Sequence, residues 1–437
     1  MTPGGKPNEV ATKPGRLANV LDRLGVRMNQ LEVRAWLAFF GLLAFLRSPY
    51  ILLAGRFWAE EGSTYFAHAY SDGGIGSLGF VYQRAGYLHL FANVGTWLAT
   101  LVPLAAAPLM TAWLAYLVVF LLLWMILAWP SELLPSRASR LAAAGLLLFG
   151  PVAEPEVWLN TINAQTYLGL VAIILLFVRI EDINRVRYGL SMAALLIAGL
   201  SGLYAAILAP LFVLRAYMTR TVRTTIHALV LSGAAIVQGA VIVLSQSSGS
   251  LVETKFVWPG LTELTATLGG LHLTSIFIGR QESARLVESV YNDSSAALIS
   301  VLLMSVLVVL VIGRLVRGSS VRVLGLLLAA FVLTEALVQI GSHGSASSRY
   351  TVVPVAIASL ALSHGAGLAT SQIRRGFALG VIIVALLAGL AEFWTHSPSA
   401  LTCLDCPDWQ QQIEQWQLDP SRDIAIWPYP RWTMTLP

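Results

Sequence analysis

Charge is scarce in this chain. Only 12% of its 437 residues are Asp, Glu, Lys or Arg, and 56% are hydrophobic, whereas a soluble domain carries about 25% charged residues. Apolar runs recur along nearly the whole length and the mean hydropathy is +0.71, which excludes a soluble domain with an appended anchor. The alternating pattern of a membrane β-barrel is missing. Cysteine is almost missing: Cys403 and Cys406 stand alone near the C-terminus. Their spacing suits a redox pair or half of a zinc site, but a full zinc site needs further Cys or His ligands nearby. A small local disulfide between them is expected if this tail is extracytoplasmic. No P-loop and no HExxH pattern occurs, so nucleotide hydrolysis and zincin chemistry have no support. The basic residues are spread among loops rather than gathered in a patch, so nucleic acid is not an expected partner. The first 30 or so residues are polar and basic, without the apolar core of a signal peptide. No internal repeat stands out.

What the sequence has is apolar length, interrupted at particular points. The expected fold class is all-α: a polytopic transmembrane helical bundle of about 11 spans with juxtamembrane helices and a short extracytoplasmic C-terminal tail. Residues 1–34 read as a cytoplasmic N-terminal tail and 35–394 as the transmembrane domain, with a first outer loop at 55–108 and a large one at 246–295. Residues 395–437 read as a tail packed on the outer face. The first span starts at Ala35; roughly 18 Å of helix separates Arg34 from Arg47, which places Arg47 near the outer edge of the hydrocarbon. Two apolar stretches, 86–110 and 111–129, then follow with almost no polar break. If the first re-enters or lies on the surface, the clusters at Arg137/Arg140, Arg179/Arg185/Arg187, Arg215/Arg220/Arg223, Arg314/Arg317/Arg322 and Arg374/Arg375 all fall inside. The preference for cationic cytoplasmic loops selects that arrangement, with the N-terminus in and the C-terminus out.

The outer side then receives the unusual sequences. Arg56-Phe57-Trp58-Ala59-Glu60-Glu61-Gly62-Ser63-Thr64-Tyr65-Phe66 puts two adjacent carboxylates among interface aromatics. Breaks at Gly150-Pro151 and Gly199-Leu200-Ser201-Gly202 interrupt apolar runs, and non-helical backbone at that depth requires a protein- or water-lined cavity. A polar wall follows the first break: Glu154, Glu156, Trp158, Asn160, Asn163 and Gln165, with Tyr167 just beyond. Arg280 lies in the large outer loop. His343 and Arg349 lie in a late Ser/Gly-rich turn. Glu335 and Gln339, one turn apart within a span, read as a polar pair packing helices. Trp409, Trp416, Trp427 and Trp432 read as interface anchors of the tail.

This arrangement resembles the GT-C superfamily of glycosyltransferases, integral membrane enzymes that use polyprenyl-phosphate-linked sugars. The resemblance is carried by Arg47-Ser48-Pro49, by Trp58-Ala59-Glu60-Glu61-Gly62 with Tyr65, by the acidic second outer loop behind a proline, and by Arg349-Tyr350 with Pro354. It covers roughly the first 210 residues and the region around residue 349. The family's acidic pair more often contains an Asp; here it is Glu-Glu, which leaves open which carboxylate is the base and whether a metal is used.

The resemblance implies sugar transfer to a glycan, lipid or protein acceptor at the outer face of a bacterial inner membrane. Glu60 and Glu61 are then the catalytic pair, one carboxylate acting as general base in an inverting displacement. The other would position groups or hold a divalent cation, Mg or Mn. Arg349, Arg47, Arg280 and His343 are the candidate ligands of the donor phosphate. Glu154, Glu156, Trp158, Asn160, Asn163, Gln165 and Tyr65 are candidates for binding sugar or acceptor. Two other readings stay open: a transporter or flippase of lipid-linked glycans, and a non-catalytic subunit of a glycan assembly complex. A transporter would place its charges near the midplane between repeated halves, whereas these candidates cluster on one side.

Overall fold

The structure, a computed structural model, describes residues 16–150, 156–247, 260–292, 294–341, 348–395 and 408–437. Glu154, His343, Cys403 and Cys406, with the disulfide expected of the cysteines, lie outside these residues. The chain opens with α1 (Arg16–Leu46) and, after a break at Arg47 and Ser48, the short α2 (Pro49–Leu53). Pro49 fits the first helical turn, where its missing N–H is not needed. A wide π-type turn, Glu61–Phe66, leads into α3 (Ala67–Asp72) and a 3₁₀ turn, Ile75–Gly79. Gly74, Gly76 and Gly79 have the G-x-G-x-x-G spacing, but among the described residues no strand precedes them, so the context of a dinucleotide site is missing.

Next comes α4 (Leu90–Thr100), whose 11 residues span about 16 Å and cannot cross a bilayer. The stretch 86–108, expected to re-enter or lie on the surface, therefore holds a short helix. α5 (Ala107–Ala128) follows, then α6 (Arg137–Phe149), α7 (Ala164–Phe177), α8 (Arg185–Gly199), α9 (Leu203–Ala206), α10 (Ala209–Thr219) and α11 (Val222–Ser247). Beyond them lie α12 (Leu261–Leu264), a second π-type turn (Thr265–Thr274), α13 (Ser275–Ile278) and α14 (Arg280–Tyr291). Four long helices complete the bundle: α15 (Ser295–Leu315), α16 (Val321–Gly341), α17 (Val352–Gly367) and α18 (Gln372–Thr395). The tail adds α19 (Trp409–Leu418) and a hairpin of β1 (Ile424–Ile426) with β2 (Trp432–Met434), pairing Ile424 with Met434.

Among the described residues six helices are long and apolar enough to cross a membrane: Leu104–Ala128, Val222–Gln246, Ser295–Leu315, Val321–Gln339, Arg349–Gly367 and Gln372–Glu392. Ala164–Phe177 and Leu203–Thr219 are shorter apolar helices. The chain is thus an all-α, multi-pass membrane protein. The expected count of about 11 spans is not reached by full-length helices. One reason is visible at Gly199–Gly202, where an apolar run divides into α8, α9 and α10.

α7 is buried along nearly its whole length and α17 almost as completely, so these two form the centre of the core. α15 instead exposes Leu303, Val306, Leu307, Val309 and Leu310, an apolar face that suits lipid rather than water.

The bundle has two chemically distinct ends. α5, with 22 residues or about 33 Å, runs from one to the other. At its start Trp409 Nε1 donates to Leu104 O (3.1 Å) and Trp113 Nε1 to Leu52 O (3.1 Å). At its finish Arg140 Nη1 donates to Leu127 O (2.9 Å) and Arg187 Nη1 to Ala128 O (3.2 Å). The other arginine clusters tie into this same end: Arg322 pairs with Glu132, Arg215 donates to Leu175 O, Arg223 to Ile180 O and Arg374 to Arg317 O. The acidic pair, the polar wall and the tail occupy the opposite end.

Candidate active site

The stretch that carries the acidic pair is built by a tight backbone path. Ala59 sits in the left-handed region (φ 47°), unusual for a residue with a side chain. Its amide is held by Trp427 O (2.5 Å), and Trp427 N donates to Phe57 O (3.2 Å), so the tail pairs with the loop on both sides of Trp58. Gly62 is the close approach in this packing: a Cβ there would lie 2.9 Å from Phe57 Cβ and 3.0 Å from Ile426 Cδ1. Phe57, Phe66, Trp409, Ile413, Ile426 and Met434 form one buried cluster beneath the loop.

This path separates the two glutamates. Glu61 points inward and is 0% exposed. Its Oε1 accepts from the amide and the hydroxyl of Thr161, both at 2.6 Å, and its Oε2 accepts from Trp58 N at 3.2 Å. Burial pushes its carboxyl above the usual carboxylate range, against the pull of the Thr161 donors, the Trp58 amide and Arg56. Arg56 is buried beside it, donating to Trp158 O (3.0 Å) and lying over the rings of Trp58 (4.4 Å) and Trp427 (5.0 Å). Burial lowers its pKa to about 9, with Glu61 opposing. Glu60 is half-buried and, among the described residues, makes no hydrogen bond or ion pair. Its charge reaches the phenols of Tyr65 and Tyr87.

The second loop, before α7, is held as tightly. Leu159 is also left-handed (φ 54°). Asn160 Nδ2 and Asn163 Nδ2 both donate to Glu156 O, at 2.7 and 3.0 Å, and Asn160 Oδ1 accepts from Asn163 N at 2.9 Å. These two asparagines thus shape the loop, and Asn160 is fully buried. Trp158 is fully buried too, with Arg47 stacked 4.1 Å above its ring and Tyr167 edge-on at 6.1 Å. Trp158 and Asn160, both expected from the sequence to meet sugar or acceptor, are buried under the loop they support. Arg47 is buried with them rather than lying open at the interface.

Other expected residues do converge. Arg349 Nη1 pairs with Glu156 Oε1 at 2.9 Å, and its Nη2 donates to Tyr350 Oη at 3.2 Å. The Arg349 side chain remains 40% exposed. Gln165 Nε2 donates to Tyr87 Oη at 3.0 Å. The Tyr87 phenol is held above its usual value by burial, and it lies within electrostatic reach of Tyr350, Arg349 and Glu60. Glu60, Tyr87, Gln165, Arg349 and Glu156 therefore surround one region. Gly202 makes room for Gln165: its φ is +123° and a Cβ there would fall 2.0 Å from Gln165 Oε1.

Tyr65 is buried and packs edge-on against Phe80, Tyr82 and His89. Arg280 opens α14, where Glu392 is its main counter-charge, and it lies in electrostatic reach of Arg47. Among the described residues no three His, Cys, Asp or Glu side chains come together as a metal site. Glu60 and Glu61 face different surroundings and offer no shared set of donors, so no step is assigned to a metal.

Tyr87, His89 and Thr161 are the residues that sequence reasoning missed. His89 is buried and its Nε2 meets Ile162 O at 2.6 Å, with Ala92 N bonded to Nδ1, so the ring is held neutral. Burial lowers its pKa to about 4. Its neighbour Leu90 N donates to Leu200 O, which ties the start of α4 to the break before α9. No spacing rule marks these positions; only the aromatic run beside Gly86 hints at them.

The buried charge within α16 also differs from a simple pair. Gln339 Nε2 donates to Glu335 Oε1 at 2.8 Å as expected, and His272 Nδ1 adds a contact of 2.6 Å to Glu335 Oε2.

No protein-family model matches the chain, and no curated protein matches it. Among solved structures, the cryo-EM structure of a mycobacterial arabinofuranosyltransferase, AftD, is similar at a TM-score of 0.46 and 14% identity. The match covers 89% of this chain and 29% of that one, so the chain spans under a third of that protein's length.

Proposed function

We propose that this protein transfers a sugar from a polyprenyl-phosphate-linked donor to an acceptor hydroxyl at its acidic end, with Glu60 as general base. The observation that carries the reading is the division within the acidic pair. Glu61 is consumed by three backbone and hydroxyl donors, while Glu60 is half-buried with no hydrogen bond or ion pair among the described residues. A general base needs a free carboxylate within reach of the proton it takes, and of the two glutamates Glu60 meets that need. The resemblance of the Arg47-Ser48-Pro49, Glu60-Glu61 and Arg349-Tyr350 segments to GT-C enzymes supplies the substrate class.

In this mechanism the acceptor oxygen attacks the anomeric carbon while its proton passes to Glu60. The bond from that carbon to the lipid phosphate breaks, and the phosphate leaves with the electron pair. Attack opposite the leaving group inverts the anomeric centre. Arg349, half-exposed and able to bind in a bidentate fashion, receives the phosphate charge. Glu156 keeps Arg349 in place before the donor arrives. Gln165 and Tyr87 hold sugar or acceptor hydroxyls. Glu61, Thr161 and Arg56 position the loop. On this reading the acidic end faces outward and the arginine end faces the cytoplasm, an orientation that the cationic loops support, and the family resemblance supplies the bacterial inner membrane.

The test is donor consumption by purified protein in nanodiscs, using a panel of polyprenyl-phosphate sugars. Glu60→Gln is expected to abolish turnover with an unchanged melting temperature, whereas Glu61→Gln is expected to lower both. Turnover that survives in Glu60→Gln would remove Glu60 from the mechanism.

A further inference from the structure

The arginine end holds a site that the reaction does not use. A cleft of about 540 Å³ opens between α1, the finish of α5 and the starts of α6 and α8. Arg34, Arg140 and Arg187 line it together with Leu37 and Trp124, and among the described residues no acidic side chain does. A smaller cleft of about 200 Å³ adjoins it, sharing Val33 and Arg140. The one carboxylate there, Glu32, is already paired with Arg137 at 2.8 Å.

Two of the three arginines have a structural duty. The final carbonyls of a helix lack intrahelical partners, and those of α5 are taken by Arg140 (Leu127 O, 2.9 Å) and Arg187 (Ala128 O, 3.2 Å). Arg140 Nε also donates to Leu134 O at 3.2 Å. These bonds fix both guanidinium groups at the cleft without removing their charge. Arg187 further lies 5.6 Å from the centre of the Trp124 ring. Helix capping does not explain Arg34. It reaches the same cleft from α1, is exposed, and has no hydrogen bond or ion pair among the described residues.

Three cations at one cleft repel one another unless an anion joins them. The cleft lies about 33 Å of helix from the start of α5, one hydrocarbon thickness away. Leu37 and Trp124 extend it along the apolar flanks of α1 and α5. We infer that this cleft binds an anionic phospholipid, with the headgroup phosphate between Arg34, Arg140 and Arg187 and an acyl chain along Leu37 and Trp124. Basic pockets between transmembrane helices hold lipid headgroups in this manner. The site is separate from the proposed sugar transfer and stands whether or not that reading holds.

The experiment is lipid retention by the full-length protein in neutral detergent, read by native mass spectrometry after exposure to phosphatidylglycerol or phosphatidylcholine. Phosphatidylglycerol is expected to be retained preferentially, and Arg34→Gln to weaken its retention about fivefold. Arg220→Gln, at an exposed arginine just past the end of α10 and at the same end of the bundle, is expected to leave retention unchanged. The Arg34 side chain is exposed and makes no hydrogen bond or ion pair among the described residues, so its variant is expected to keep the parent's melting temperature in neutral detergent. Equal retention of the two lipids, or an equal loss in Arg220→Gln, would overturn the site. Displacement of phosphatidylglycerol by millimolar inorganic phosphate would overturn the lipid assignment in favour of a small-anion site.

Discussion

Glu60 and Glu61 differ by one position in the chain, and what separates them is a donor set 100 residues away. Thr161 supplies Glu61 with two bonds of 2.6 Å, and the left-handed Ala59 sets which glutamate faces it. Thr161→Val keeps the amide bond and removes the hydroxyl. Thermal unfolding should show a loss of about 1–3 kcal/mol, the cost of an under-satisfied buried acceptor. His89 gives a pH prediction. Its folded pKa of about 4 lies below the ordinary value of 6.5, so protonation favours the unfolded chain. The stability it contributes is complete above pH 6.5 and is lost as pH falls toward 4. The melting temperature should drop across that window in the parent and drop less in His89→Gln. None of this could be read from the sequence. The acidic pair announces itself by being charged at an interface, but its two members look alike until Thr161 and Trp58 are brought to one side of it. Trp158 and Asn160 show a second limit, because polar and aromatic residues in an outer loop suggest a ligand as readily as a loop's own scaffold.

Among the elements, the breaks in helices matter more than the helices. Apolar length locates the long spans well, since Ser295–Leu315 and Val321–Gln339 keep a high mean hydropathy despite an occasional polar residue. The sequence marks the break at Gly199–Gly202 but not its purpose: the chain leaves the helix there and Leu200 O and Ser201 bind the start of α4. Gly202 is needed there for two reasons, its φ of +123° and the Gln165 amide against its α-carbon. Gly202→Ala should destabilise the fold by about 1–3 kcal/mol and detach Gln165 from Tyr87. Loss of donor affinity with the helical circular dichroism intact would report that detachment. An unchanged affinity would show that Gln165 is not a ligand. That the arginine-rich turns gather at one end of the bundle was legible for a different reason: it follows from composition and does not depend on which partner each residue finds.

At the scale of the whole molecule the tail completes the acidic end. Trp427 brackets the loop through two backbone bonds, and α19 reaches across to the turn before α5 through Trp409. Removing residues 408–437 should leave the long helices in place while abolishing donor consumption. Circular dichroism and turnover on the same preparation would separate these effects. A truncated protein with full turnover would show that the loop holds its shape unaided. The pairing of Trp409 with Leu104 joins positions 305 residues apart. Contacts so remote in the chain form late. A ribosome making this protein therefore releases the acidic loop first, and the loop waits through the synthesis of nearly every later helix before its cover exists. Donor consumption should appear only once the segment carrying Trp409 and Trp427 has been made, so a nascent chain that stops short of it remains silent even when already threaded through the membrane.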